Sequence, residues 1–333
     1  MKSTYINNRL LFLSFVLLTM TFSSCVQYRL INIQTLKPAE LAIPNNFIQP
    51  LVVVGTYEGI QGVPESMAQA SLDSTAAIEA GLVLAETLAE SPWFDGIEVP
   101  VKQHYRDDSS HLILPYPWKR VEEIAAGTNA DLVISLEYIK LTPKTSGYPF
   151  WDGAMQAYYG YLSMNVYAYW RVYDLYQQKV YSEHLYRDTL TWEETDYYRV
   201  RVGDQLPGFF SAATYCGFLA GQDYAKRIAP SWMDEQRVYF VKGPKPMKVA
   251  AEFAQNNQWL DAAAQWQVVL RNYENRSQVA AKAAFNMAVA NEILGSFDVA
   301  LEWLNQSESY YVLPEASWYR KIIEHRIKLL ERL

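Results

Sequence analysis

The sequence predicts an α/β domain with a mixed sheet and a long hairpin, followed by an all-α domain of helical repeats. Three observations carry this. Between residues 47 and 141, short apolar runs alternate with amphipathic stretches in the order strand, helix, strand, helix, strand. Two long segments with period-two alternation follow, separated by a turn at Asp174 to Gln178. Beyond Gly243-Pro244-Lys245-Pro246 the chain turns Ala-rich and repeats a pattern of small and aromatic residues with a period of 38.

At the start, Lys2 and Arg9 precede the apolar run Leu10 to Met20, and Phe22-Ser23-Ser24 stands before Cys25, which is the order of a secretory signal. The run is well short of the ~20 residues that cross a bilayer as a helix, so residues 1–24 read as a cleaved signal. A signal ending at a cysteine resembles the lipobox of bacterial lipoproteins. That resemblance implies a covalent lipid on Cys25, with a diacylglyceryl group on the thiol and a further chain such as palmitate on the new amino terminus. Several chains, at about 0.8 kcal/mol per buried methylene, anchor stably. Val26 stands where an inner-membrane retention signal would have Asp, so the same resemblance implies the outer membrane, with the body facing the periplasm.

The chain carries 29 basic and 36 acidic residues, and loss of the signal leaves 27 against 36, a formal charge of −9. Such a balance argues against nucleic acid or anionic headgroups as partners. Cys216 is the only cysteine besides Cys25, so no disulfide framework exists and Cys216 reads as a lone buried thiol.

Residues 25–46 read as a lipidated tether and first strand, interrupted by Pro38 and Pro44, and residues 47–242 as the α/β domain. Leu51 to Val54 is wholly apolar and ends at Gly55, as a strand buried on both faces should be. Ser71 to Ser91 has helical spacing in Leu72, Ala76 and Leu88; Phe94 to Val101 reads as a second strand and Gln103 to His111 as a polar loop. Trp118 to Thr128 reads as a second helix and Ala130 to Leu141 as a third strand. Leu162, Met164, Val166, Ala168, Trp170 and Val172 alternate with polar or tyrosine positions, and Lys179 to Leu190 completes a hairpin. Gly203 to Ile228 reads as one helix, Arg237 to Val241 as a last strand, residues 243–246 as a linker and 247–333 as the repeats.

In the repeats, Ala250, Phe253, Asn257, Trp259, Ala262 and Trp266 recur as Ala288, Asn291, Gly295, Phe297, Ala300 and Leu304. Small residues let two antiparallel helices approach, Asn or Gly ends the first helix, and an aromatic fills the wedge. This resembles the tetratricopeptide repeat, with Pro314 to Leu333 as a capping helix.

No GxSxG, HExxH, DxDxDG or GK[ST] motif occurs, and Gly55 to Gly62 matches no nucleotide-binding spacing, so no catalytic residue and no cofactor beyond the lipid is expected. His104, Asp107, Asp108 and His111 are the only metal-ligand types close in sequence, and they read as a solvated turn. Residues 157 to 198 contain eleven tyrosines. Tyr167, Tyr169 and Tyr173 on the hairpin, with Trp259 and Trp266 in the repeats, are the candidate partner-binding residues. Trp192-Glu193-Glu194 and Ser146 to Gly160 could form an aromatic-acidic surface, which raises glycan binding through Trp151 or Trp192 as an alternative. Adjacent carboxylates on one strand point to opposite faces and cannot flank a glycosidic bond.

Taken with Cys25, the phrases NIQTLKPAELAIP from Asn32 to Pro44, LVVVGTY, NADLVISLEYI and WRVYD from Trp170 to Asp174 resemble an uncharacterised, domain-of-unknown-function family of Gram-negative envelope lipoproteins. More remotely, the element order is similar to the periplasmic α/β domains of curli-secretion lipoproteins, TolB-type amino-terminal domains and penicillin-binding-protein activators. The resemblance implies a non-catalytic, membrane-anchored protein that binds or scaffolds other envelope proteins. A subunit of an oligomeric secretion assembly is a further alternative, weakened by large aromatics on both hairpin faces, where a membrane strand alternates apolar with polar. The oligomeric state is not legible.

Overall fold

The structure is a computed structural model that describes residues 27–333, apart from 42, 44–48, 57–63, 95–96, 106–112, 154 and 276. Cys25, the signal, and three of the four metal-ligand types, Asp107, Asp108 and His111, lie outside the described residues. No described helix is long and apolar enough to cross a membrane. The chain forms two compact units, one of residues 37–231 and one joining the amino-terminal segment through Leu36 with Trp232–Leu333.

The first unit is built on a five-stranded sheet in the order β3-β2-β4-β5-β6. β2 (Pro50–Thr56) pairs in parallel with β3 (Val101–Tyr105) and with β4 (Leu132–Asp152). β5 (Met155–Asp174) and β6 (Lys179–Asp196) continue antiparallel from β4. β2 is buried on both faces, as its wholly apolar sequence requires. Val52 and Val54 face helix α1 (Pro64–Ala89), while Leu51 and Val53 face α2 (Trp118–Ala125).

Three expectations are corrected here. The strand expected at Phe94–Val101 begins only at Val101. Phe94 and Ile97 bond back to Ser91 O and Phe94 O in successive turns, and the Phe94 ring drops into the core. The helix expected over 203–228 is two, α3 (Arg199–Gln205) and α4 (Phe209–Ile228), because Pro207 has no N–H to continue the first. The third strand does not stop at Leu141: β4 runs on to Asp152 and pairs with β5 along its whole length. α1 and α4 cover one face of the sheet together. A Cβ at Gly217 would clash with the Ala76 backbone and one at Gly221 with that of Ala80, so these glycines let the two helices touch backbone to backbone.

The second unit opens with β1 (Tyr28–Lys37), which pairs with β7 (Ser231–Phe240) apart from the large sheet. β7 thus differs from the short strand expected at Arg237–Val241 inside the first domain. The Val241 N–H donates to Gln27 O, and Thr35 Oγ1 donates to Met233 O at 3.4 Å; low numbers meet high ones, the order of an antiparallel ribbon. Helices α5 (Lys245–Gln255), α6 (Trp259–Tyr273), α7 (Ser277–Ile293), α8 (Phe297–Tyr310) and α9 (Pro314–Leu330) follow. Asn257 and Gly295, the equivalent positions of the repeat, take left-handed φ values of 59° and 78° at the ends of α5 and α7. The small pairs Ala250 and Ala262, then Ala288 and Ala300, are fully buried.

Polar groups tie ribbon to helices. The Asn286 side chain accepts the Phe240 N–H and donates to Phe240 O, each at 2.7 Å, standing in for a neighbouring strand. Glu292, buried in α7, receives Arg237 of β7 at 2.8 Å, Arg326 of α9 at 2.8 Å and the Tyr319 hydroxyl. Burial acts to raise the Glu292 pKa, but the Arg237 hydrogen bonds and charge, helped by Tyr319 and Arg326, hold it below 4.5. A carboxyl depressed by folding stabilises above its unfolded pKa, and that stabilisation disappears as pH falls through the folded value. Glu292→Gln should therefore cost about 3 kcal/mol at neutral pH, with the penalty shrinking as pH drops below the ordinary glutamate value of 4.5. Urea denaturation of both proteins across that range measures it; a penalty independent of pH would contradict this account.

Candidate functional site

β5 divides the sheet into two unlike faces. Its even positions from Leu162 to Val172 are buried under α1 and α4. Its odd positions point the other way, and register fixes their neighbours. Tyr169 lies between Tyr138 and Leu185, Tyr167 between Lys140 and Arg187, and Asn165 between Thr142 and Thr189. Ser163 lies between Lys144 and Thr191, Tyr161 between Ser146 and Glu193, and Tyr159 between Tyr148 and Thr195. Among the described residues, α2 and the segment leading into it close only the end of this face, over Leu51, Val53, Val133 and Tyr173.

Side chains on the open face are held by one another. The Arg187 guanidinium lies 5.7 Å from the Tyr167 ring centre and the Arg171 guanidinium 5.0 Å from that of Tyr169. Tyr148 and Tyr159 rings are 5.0 Å apart, and Tyr159 and Tyr161 are 6.2 Å apart. The Tyr159 hydroxyl donates to Glu193 at 2.7 Å, and that bond holds the phenol up at about 12. The Tyr169 hydroxyl donates to Glu183 at 2.7 Å, which keeps the Glu183 carboxyl below its ordinary range. Where the ribbon meets α3, an open groove of about 540 Å³ is lined by Tyr148, Tyr158, Tyr159, Tyr161, Gln156 and Arg199, among others.

Of the residues expected to bind partners, Tyr167 is 40% exposed and Tyr169 is half-buried beside it. Tyr173 is not surface at all. Its hydroxyl donates to buried Glu137 and accepts the Tyr116 N–H at 2.8 Å, because the strand end it occupies is roofed by α2. Trp259 and Trp266 are likewise core: they pack edge-on against Tyr239, with ring centres 6.0 and 6.4 Å away, filling the space between helices and β7. Trp151 is 73% exposed beside the β4–β5 turn, opposite Gln156, whereas Trp192 is half-buried against Tyr215 on the helix side.

The expected strand ended at Leu141, so the β4 positions beyond it, among them Lys144, were not placed beside the hairpin tyrosines, and Pro143 and Pro149 lie in that extension. The structure explains the prolines. Asp73 accepts the Leu141 N–H and Gln69 donates to Leu141 O, each at 2.8 Å, so odd positions of β4 direct their backbone groups to the free edge. Pro143 and Pro149 share that parity and forfeit no ladder bond. The visible signal was the tyrosine alternation of Tyr159, Tyr161, Tyr167 and Tyr169. Among the described residues no cluster of His, Cys, Asp and Glu is arranged to hold a metal, and Cys216 is buried with its thiol pushed up to about 12 by desolvation.

Tyr173→Phe removes one oxygen and leaves the Glu137 carboxylate and the Tyr116 N–H each short of a partner. It should destabilise the first unit by about 1 to 3 kcal/mol, read as a lower urea midpoint with unchanged slope.

The chain matches the family described as Domain of unknown function (DUF8603) over residues 40–240, and a second, Domain of unknown function (DUF6340), over residues 248–332. No curated protein matches it. Similar solved structures include the PelC dodecamer from Paraburkholderia phytofirmans, at 16% identity over 60% of this chain and 99% of that one, with a TM-score of 0.22. A neuraminyllactose-binding hemagglutinin homolog from Helicobacter pylori is similar at 12% identity over 57% and 92% of the two chains, with a TM-score of 0.28. A minor lipoprotein from Acinetobacter baumannii is similar at 9% identity over 54% and 86%, with a TM-score of 0.19. The first family match covers more than half of the chain and coincides with the sheet and its helices: the protein belongs to the family of Domain of unknown function DUF8603.

Proposed function

We propose that the protein is a non-catalytic, lipid-anchored envelope protein that binds other envelope proteins through the open face of its sheet. The observation that carries this reading is the face that no described helix covers between Tyr138 and Tyr148. One side of β5 is closed by two helices, while the other presents rows of Tyr, Thr, Ser and Asn between Lys and Arg side chains. Tyrosine offers large, rigid contact area at low entropic cost and the small polar residues adapt their hydrogen bonds, the composition of protein-recognition surfaces. Anchoring rests on the signal and Cys25, and the outer membrane on Val26. The helices α5 to α9 are read as two tetratricopeptide-like hairpins with a cap, a docking module whose aromatic positions serve its own core.

A glycan is the second reading, favoured by the tyrosine-lined groove, to which Gln156 and Arg199 also contribute. It predicts loss of sugar binding in Tyr159→Ala or Tyr161→Ala.

A photo-crosslinking amino acid at Tyr167, in the full chain in cells, should give adducts with specific envelope proteins. The same label at Tyr176, 75% exposed in the β5–β6 turn, should not. Equal or absent adducts at Tyr167 would remove the open face as the binding surface. Separately, Cys25→Ser should release the chain from the membrane fraction, and mass spectrometry of the wild type should find acyl chains on its first residue.

A further inference from the structure

The two outer edges of the antiparallel ribbon are finished differently. The free edge of β4 is blocked: Asp73 and Gln69 take the Leu141 backbone groups, and Pro143 and Pro149 offer no N–H along it. β6, Lys179–Asp196, ends the sheet on the other side, contains no proline, and has no described strand on its outer edge. A long unprotected edge is a template for another strand.

The charge sequence of β6 selects the occupant. If a second copy adds antiparallel about a twofold axis normal to the sheet, each side chain keeps its face, so only registers pairing positions of like parity are allowed. Centring on Arg187 opposes it to itself; centring on Asp188 opposes that residue to itself and Glu183 to Glu193. Centring on Thr189 leaves Arg187 against Thr191, centring on Tyr186 aligns Lys179 with Glu193 but leaves Arg187 against Leu185, and centring on Leu185 opposes Arg187 to Glu183, which Tyr169 and Arg171 already hold, and leaves Glu193 beyond the paired strand. Centring on Leu190 sets Arg187 opposite Glu193, His184 opposite Asp196, Tyr186 opposite Glu194 and Thr189 opposite Thr191, each pair twice. Arg187 and Glu193 are both exposed and both on the open face, held there by Tyr167 and Tyr159.

We propose that β6 pairs with β6 of a second copy of this chain in the register centred on Leu190, joining two sheets and their open faces into one surface. The inference goes beyond the reading of the open face and stands if that reading fails.

Two tagged forms of the full chain, one carrying Thr189→Cys and the other Thr191→Cys, are co-expressed and oxidised in the envelope. The register predicts a disulfide-linked heterotypic dimer, little Thr189→Cys homotypic dimer, and an adduct that falls ~10-fold or more when both copies also carry Arg187→Glu. Adding Glu193→Arg to the Arg187→Glu background should restore the adduct, which a merely misfolded variant would not do. Absence of the heterotypic adduct, equal homotypic and heterotypic yields, or no response to the charge reversals would each overturn the proposal.

Discussion

Glu137 is the residue on which the sheet changes character. It sits in a bulge where the pairing of β4 with β5 slips between Leu136 and Tyr138, and it is fully buried. A carboxylate there is tolerable only with partners, and it has the Arg171 guanidinium and the Tyr173 hydroxyl. Arg171 also donates to Glu183 at 2.9 Å, Ile113 O at 3.0 Å and the Tyr169 hydroxyl at 3.4 Å. Burial first, then the Glu137 charge, keeps the Tyr173 phenol protonated at any ordinary pH. β4, β5, β6 and the segment around residues 113–116 are thereby locked at one point. Parallel pairing of β4 with β2 ends at Leu136, and beyond it the ribbon runs on with β5 and β6 alone.

One-sided coverage follows from helix packing. α1 and α4 approach closely because Gly217 and Gly221 meet Ala76 and Ala80, and Trp170 stacks on Tyr224 with ring centres 4.6 Å apart. Both long helices are thus committed to the even face of β5. α2 reaches only the end beyond the Glu137 knot, and the odd face between Tyr138 and Tyr148 stays polar and open. A patterned face results, with one blocked edge and one edge that no described strand pairs. The second unit uses the same device in helical form, a buried glutamate, Glu292, gathering two arginines and a tyrosine so that β7 and α9 are both fastened to α7.

Much of this architecture was written locally. Leu51–Val54 could only be a strand buried on both sides, the alternation from Leu162 to Val172 assigned the faces of β5 correctly, and the offset pattern placed Asn257 and Gly295 at helix ends. These features depend on spacing within one element, and spacing is what a sequence displays.

What tertiary structure decided depends on partners distant in sequence. Pro143 and Pro149 argue against a strand until β4 is known to have a free edge there, and Tyr173 looks like surface until α2 is placed over it. Trp259 and Trp266 have the size of binding residues, yet Tyr239, brought in by a ribbon that pairs β7 with the distant β1, makes them core. β7 was placed in the first domain because its neighbour β1, which draws it into the second unit, lies some two hundred residues earlier. Exposure and strand neighbours are set by which surfaces the rest of the chain covers, so no local pattern can fix them.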